Sequence, residues 1–130
     1  MGASVLVDSS FYIRRLREGV DPLAELRVIG AGRELATCGV IRCEVARGLK
    51  APKILRQFQA TWDVMQQVPT DNRIWNEVET LAWQLDRAGK TLPLTDLIIA
   101  ACARRIQAVV LTFDAHFQDV PGITAVSRLV

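Results

Sequence analysis

Four carboxylates in this chain sit where a solvated surface does not account for them. Asp8 ends the apolar run "SVLVD", and Glu44 lies between Cys43 and Val45 in "VIRCEVARGL". Asp96 stands before seven consecutive apolar residues in "LPLTDLIIAACA", and Asp114 lies in "LTFDAHF". Most other acids, among them Glu18, Glu25, Glu77, Glu79 and Asp86, stand near Arg or Lys in amphipathic stretches, as surface charges do. A charge beside low-dielectric surroundings is costly unless a partner offsets it. Clustered carboxylates repel one another as well, so some would be protonated without a cation. A hard divalent cation answers both costs. Mg2+ takes oxygen ligands at about 2.0–2.1 Å, keeps several waters and commonly binds phosphates. Two such ions about 3.5–4 Å apart can activate a water and stabilise a leaving oxygen in phosphodiester cleavage.

Each acid also has an ordinary explanation. Asp8 could cap the next helix through Ser9 or Ser10, and Asp96 could cap its own helix with Thr95. Asp114 could form an Asx turn, and Glu44 could pair with Arg42 or Arg47. The metal reading therefore depends on whether the fold brings the four together.

The elements that must do this are legible from apolar patterning. Short apolar runs at 4–8, 34–39, 67–69, 108–112 and 123–130 are predicted strands. Helices are predicted over 9–19, 21–32, 40–49 and 51–67, over 71–89, and from Asp96 onward. Asp21 followed by Pro22 marks the second helix start, with Gly30 or Gly32 as its stop. Ile41, Val45 and Leu49 form the stripe of the third helix. Ile74, Val78, Leu81, Leu85 and Ala88 form that of the fifth, which opens at Asp71 and ends at Gly89. Trp75 and Trp83 flank that stripe and are expected to pack. "FDAHF" reads as a turn. Strands alternate with helices, and the strand runs are apolar throughout, which predicts an α/β sandwich with a parallel sheet. The carboxyl ends of parallel strands share one rim, where ligands bind. Asp8 and Asp114 follow strands, Glu44 lies early in a helix leaving that rim, and the helix of Asp96 must start there because it precedes a strand. All four acids can converge. The helix after Asp96 is apolar on most sides, so it belongs in the middle of the sandwich or at an oligomer interface.

The bulk properties bound the rest. A chain of 130 residues predicts one domain over 1–130. A net charge of +2 permits a nucleic-acid partner without arguing for one. Three cysteines, Cys38, Cys43 and Cys102, are an odd number among apolar neighbours and read as small buried hydrophobes rather than a disulfide scaffold. His116 is the one histidine, which argues against structural zinc. No apolar run approaches the ~18 residues of a membrane span. With no secretory leader in view, a soluble, reduced, cytoplasmic protein without a membrane partner is expected.

At these positions the chain resembles the PIN-domain family, specifically VapC-type toxins of toxin–antitoxin pairs. The matching pieces are "VLVDSS", "CEVARGL", "LPLTDLIIAACA" and "LTFDAHF", in order and over nearly the whole length. The resemblance implies a three-layer sandwich with helices on both sides of the parallel sheet. It implies a Mg2+- or Mn2+-dependent endoribonuclease, a homodimer, and an antitoxin that blocks the site. Asp8, Glu44, Asp96 and Asp114 would be the metal-binding catalytic acids. Ser10 fits the small polar position two after the first Asp, and Thr112 fits the hydroxyl position before the last acid. His116 stands where the family often has another acid, so one corner is less negative and the site holds one metal or two. Arg42, Arg47, Lys50, Lys53 and Arg56, with Glu44 the one acid among them, form a run suited to RNA phosphates or to a solvated helix face.

Three other readings compete with this one. A response-regulator receiver also gathers acids at a sheet rim, but it needs a Lys ending a late strand, and "AVVLTFDAHF" has none. A catalytically idle PIN fold is disfavoured by the presence of all four acids. A PIN nuclease of RNA processing, without a toxin role, stays open.

Overall fold

The computed structural model describes residues 3–129. The elements run β1 (Ser4–Val7), α1 (Ser9–Arg17), α2 (Pro22–Ile29), β2 (Glu34–Cys38), α3 (Gly39–Ala46) and α4 (Pro52–Asp63). They continue with β3 (Gln66–Val68), α5 (Asn72–Arg87), α6 (Leu94–Arg105), β4 (Val109–Leu111), a 3₁₀ turn (Ala115–Asp119) and β5 (Ala125–Val126). The strands form one sheet in the order β3-β2-β1-β4-β5, every pair parallel, as the apolar strand runs predict. Parallel crossovers are right-handed as a rule. The chain steps from β1 to β2 to β3 in one direction and then returns across the sheet to β4. By that rule the reversal carries the α5–α6 pair to the face opposite α1 and α2, and α6 also meets α3.

Side-chain caps set three of the six α-helix starts. Asp8 caps α1, Asp21 caps α2 by accepting from Leu23 N (3.0 Å) ahead of Pro22, and Asp71 caps α5 by accepting from Ile74 N (3.2 Å). Gly89 follows α5 with φ +79°, the left-handed conformation that ends a helix and that side chains disfavour. α5 buries Ile74, Val78, Leu81 and Leu85.

Several expectations are corrected. α4 stops at Asp63 because residues 66–68 pair with Ala36, Thr37 and Cys38 as β3. Gln67 Nε2 donates to Trp62 O (2.6 Å) and Met65 O (3.0 Å), which satisfies carbonyls at the broken helix end. α3 ends at Ala46, so Leu49 lies beyond it. The last strand shrinks to Ala125–Val126, and position 130 lies outside the described residues. Trp75 and Trp83 do not pack inside: they are 46% and 61% exposed, because the α5 stripe is already filled by aliphatics. Cys38 and Cys102 are buried, but Cys43 is exposed on α3, between the inward Ile41 and Val45.

α6 is the central helix. Leu97 to Ala103 are all buried, and Ala100, Ala101 and Ala103 let neighbouring backbones approach closely. Of the two expected placements, the middle of the sandwich holds: the apolar stretch is spent inside the chain's own core. Among the described residues no helix is long and apolar enough to cross a membrane.

Candidate metal centre

The sheet reverses its winding between β1 and β4. In open α/β sheets the carboxyl ends of two such strands flank a ligand crevice, and the segments leaving β1 and β4 are joined there by hydroxyls. Asp8 N donates to Leu111 O (2.9 Å). Thr112 Oγ1 donates to Asp8 Oδ2 (2.8 Å) and accepts from Asp114 N (2.9 Å). Ser10 Oγ donates to the same Oδ2 (2.7 Å) and accepts from Phe113 N (3.0 Å). Ser9 Oγ donates to Glu44 Oε1 (2.8 Å), with Asp8 Oδ1 3.5 Å away. Glu44 thus meets Asp8 through a hydroxyl and pairs with neither Arg42 nor Arg47.

Asp96 does not cap its helix. α6 begins at Leu94 with Pro93 as its cap and no side-chain capping bond, so Asp96 is the third helical residue and buried. Its Oδ2 meets His116 Nδ1 at 2.8 Å, and the same nitrogen lies 3.2 Å from Asp114 Oδ1. One ligand atom from each of Asp96, Asp114 and His116 lies within 4.8 Å of the others. Asp114 also makes the expected Asx turn, accepting from His116 N at 2.9 Å.

Charge is concentrated here. Burial pushes the Asp96 carboxyl above the ordinary carboxylate range, the His116 bond opposes this, and the charges of Asp114 and Asp8 add to the rise. The hydrogen bond to Asp96 holds the His116 imidazole above its ordinary value, burial opposes it, and the charges of Asp114, Asp96 and Asp119 reinforce it.

A model of the PIN domain matches residues 5–123. The chain belongs to the PIN domain family. Solved structures share the fold of this PIN domain. DNA-bound VapBC from Salmonella typhimurium aligns with a TM-score of 0.77 at 19% identity, over 95% of this chain and 97% of that one. VapBC-5 of the toxin–antitoxin family from Mycobacterium tuberculosis aligns at 0.65 and 24%, over 95% and 98%. VapC20 from Mycobacterium tuberculosis, a sarcin-ricin loop cleaving toxin, aligns at 0.62 and 14%, over 85% and 90%. No curated protein matches the sequence.

The donor set of this PIN domain fits a hard divalent cation. Each of the four carboxylates has one oxygen held by a protein donor. The other oxygens, Asp96 Oδ1, Asp114 Oδ2 and Glu44 Oε2, accept no hydrogen bond among the described residues, and Asp8 Oδ1 has the 3.5 Å Ser9 contact alone. Such carboxylates are oriented and still have a lone-pair face to offer. The fold brings Asp8, Asp96, Asp114, Ser10, Thr112 and His116 to one rim and ties in Glu44 through Ser9. Ser9 was not predicted as a site residue. Its signal is its place directly after Asp8, at the first position of a helix leaving the rim. Of the basic run, Arg42 is engaged by Asp63 (2.8 Å), Gln67 (3.2 Å) and the Trp62 ring (5.4 Å). Arg47, Lys50, Lys53 and Arg56 are exposed.

Proposed function

We propose that this PIN domain is a divalent-cation-dependent endoribonuclease, acting in the cytoplasm as the toxin of a toxin–antitoxin pair. The observation that carries the reading is the set of carboxylates at the β1–β4 reversal, linked by hydroxyls and by His116, each with one oxygen fixed and one available. VapC20, a sarcin-ricin loop cleaving toxin, has the same fold, and the VapBC complexes give a precedent for an antitoxin partner.

Asp8, Asp96, Asp114 and Glu44 would hold Mg2+, with Mn2+ as the alternative, one ion or two. Bound there, the cation would supply a nucleophilic water near neutral pH and offset charge growing on the phosphoryl oxygens. The chain's own residues prepare that site. Thr112 and Ser10 fix Asp8, Ser9 fixes Glu44, and the first turn of α6 presents Asp96 from a rigid core helix. No side chain need act as nucleophile. The expected products carry a 5′ phosphate and a 3′ hydroxyl. Arg47, Lys50 and Lys53, with Arg42 beside them, would approach RNA phosphates.

A cation offered by a partner would close such a pocket. The antitoxin is expected to insert Arg or Lys over Asp8, Glu44, Asp96 and Asp114 in forked geometry. Its apolar residues are expected to cover the groove between the first helices, near Phe11, Tyr12 and Leu16; Phe11 and Tyr12 are buried core residues, and Leu16 is 38% exposed. The apolar surface available to it between α1, α2 and α4 is formed by Leu16, Val20 and Ile54, with the buried Leu23 beneath. A homodimer is also expected. Since Leu97–Ala103 is internal, the face left for it carries Trp75, Trp83 and Leu94.

The test is cleavage of end-labelled RNA by the purified chain. Activity should require Mg2+ or Mn2+ and vanish in Asp8→Asn and Asp96→Asn. Full cleavage in excess EDTA would overturn the metal reading. Growth arrest on expression alone, relieved by the product of a neighbouring small gene, tests the toxin role, and its absence would leave an RNA-processing nuclease.

A further inference from the structure

The last turn of α1 carries Arg14, Arg15 and Arg17, and the first two are used differently. Arg15 has all its guanidinium nitrogens on acids: Nε and Nη2 donate to Glu25 (2.8 and 3.3 Å) and Nη1 to Glu18 (3.0 Å), while its guanidinium carbon also lies 5.0 Å from the centroid of Phe113. Arg14 meets Glu18 through Nε at 3.5 Å, and its Nη1 and Nη2 make no hydrogen bond among the described residues. Its side chain is 58% exposed.

What holds Arg14 is a ring. Its guanidinium carbon lies 4.5 Å from the centroid of Phe113. Phe113 stacks in turn on the buried Phe11, centroids 5.6 Å apart with planes at 16°. Its backbone N–H donates to Ser10 Oγ, the hydroxyl that fixes Asp8, and the next residue is Asp114. The ring is therefore rooted in the same hydrogen-bond net as the candidate metal ligands. A guanidinium lying on a ring keeps its N–H groups at its edge, directed away from the π-face. The result is an unspent planar fork beside an acidic rim that would otherwise repel a polyanion.

We infer that Arg14, set in place by Phe113, binds a backbone phosphate of the RNA strand flanking the one that is cut. A fork of two parallel N–H donors suits a phosphate better than a point charge does. This rests on the endoribonuclease reading and extends it, since it names a subsite outside the carboxylate cluster and outside the basic run of α3 and α4. Arg14 is a positioning residue here, with no contact to the reacting atoms.

The experiment measures binding and cleavage separately. Binding of a fluorescein-labelled single-stranded oligoribonucleotide to the full chain carrying Asp96→Asn is followed by anisotropy over a KCl series. One phosphate contact on a single strand contributes about 0.7 to the slope of log K against log salt. Adding Arg14→Ala should lower the slope by about that amount and weaken binding by about 10-fold, the scale of one charge-assisted contact. Arg14→Lys should keep the slope but recover affinity in part, because the charge remains and the fork does not. In the otherwise unaltered chain, Arg14→Ala should raise KM with kcat nearly unchanged, the mark of binding shared by ground and transition states. Phe113→Leu should raise KM while keeping the salt slope. A merely structural Arg14 would change thermal stability and leave the slope alone. An unchanged slope and KM in an Arg14→Ala chain that still cleaves would overturn this inference and leave the nuclease reading intact. If the unaltered chain neither cleaves nor binds RNA, both fall. An Arg14→Ala chain that handles RNA normally but loses antitoxin would assign the fork to an acidic partner segment instead.

Discussion

Thr112→Val tests whether buried hydroxyls hold the carboxylate at the β1 end. The substitution keeps the shape of a side chain that is 5% exposed, so it opens no cavity. It removes the donor to Asp8 Oδ2 at 2.8 Å and the acceptor of Asp114 N at 2.9 Å. A hydrogen bond to a charged group contributes about 1.5–3 kcal/mol. Ser10 Oγ stays on the same oxygen at 2.7 Å, so the lower part of that range applies. Asp114 is half-buried, and water can meet its freed N–H, which adds little. The expected loss is about 2 kcal/mol. An unfolding entropy of about 2.1 cal/mol/K per residue converts this to a fall in Tm of about 7 °C for a chain of this length. Circular dichroism melts in EDTA measure it without metal. Thr112→Ser keeps the hydroxyl and loses a methyl, so it should fall by less than half as much. In an Asp8→Asn background the cost of Thr112→Val should drop to about 1 kcal/mol, the figure for a neutral bond. A Thr112→Val protein that melts within about 2 °C of the parent would refute the reasoning. So would an equal loss in both backgrounds, since the hydroxyl would then not be serving the charge.

Asp96→Asn removes a carboxylate whose ionisation is opposed by burial and by Asp8 and Asp114. In alkaline EDTA buffer, where His116 is neutral, it should melt above the parent, and the Mg2+-induced rise in Tm should disappear; a lower melt would show that repulsion is not stored there. His116 has a raised folded value, so its contribution is present below its ordinary pKa of about 6.5 and lost as pH rises through the folded one. The Tm difference between the metal-free parent and His116→Ala should therefore be largest in mildly acidic buffer above the carboxylate range and vanish in alkali, and a difference independent of pH would exclude the pairing. Trp83→Glu, at a side chain 61% exposed, should turn a dimeric mass in light scattering into a monomeric one with little change in fold. A parent that is monomeric at every concentration would remove the homodimer.

The unusual settings of the four acids and the strand and helix alternation were readable along the chain because each depends on near neighbours. An apolar run before Asp8, an Asp–Pro start at 21–22 and a stripe from Ile74 to Leu85 are local facts about solvation and backbone geometry. Other outcomes were not local. The sequence of α4 runs smoothly into β3, and only pairing with β2 decides where the helix ends. Trp75 and Trp83 were expected inside on apolar character, but a helix buries one stripe and the aliphatics beside them occupy it.

Apolarity likewise did not distinguish whether Leu97–Ala103 faces a second copy or the chain's own core. The answer required knowing that the sheet, α3 and α5 close around α6. The site divides the same way. Residue types alone named Asp8, Glu44, Asp96 and Asp114 as candidate ligands for a hard cation. Strand order alone placed β4 beside β1, joining Thr112 to Asp8 across 104 positions. It also seated Arg14 on Phe113, and α6 set His116 between Asp96 and Asp114. Hydrogen bonds and ring contacts act over a few ångströms, and which distant residues come that close is fixed by how strands are ordered and helices cross, which apolar periodicity does not encode.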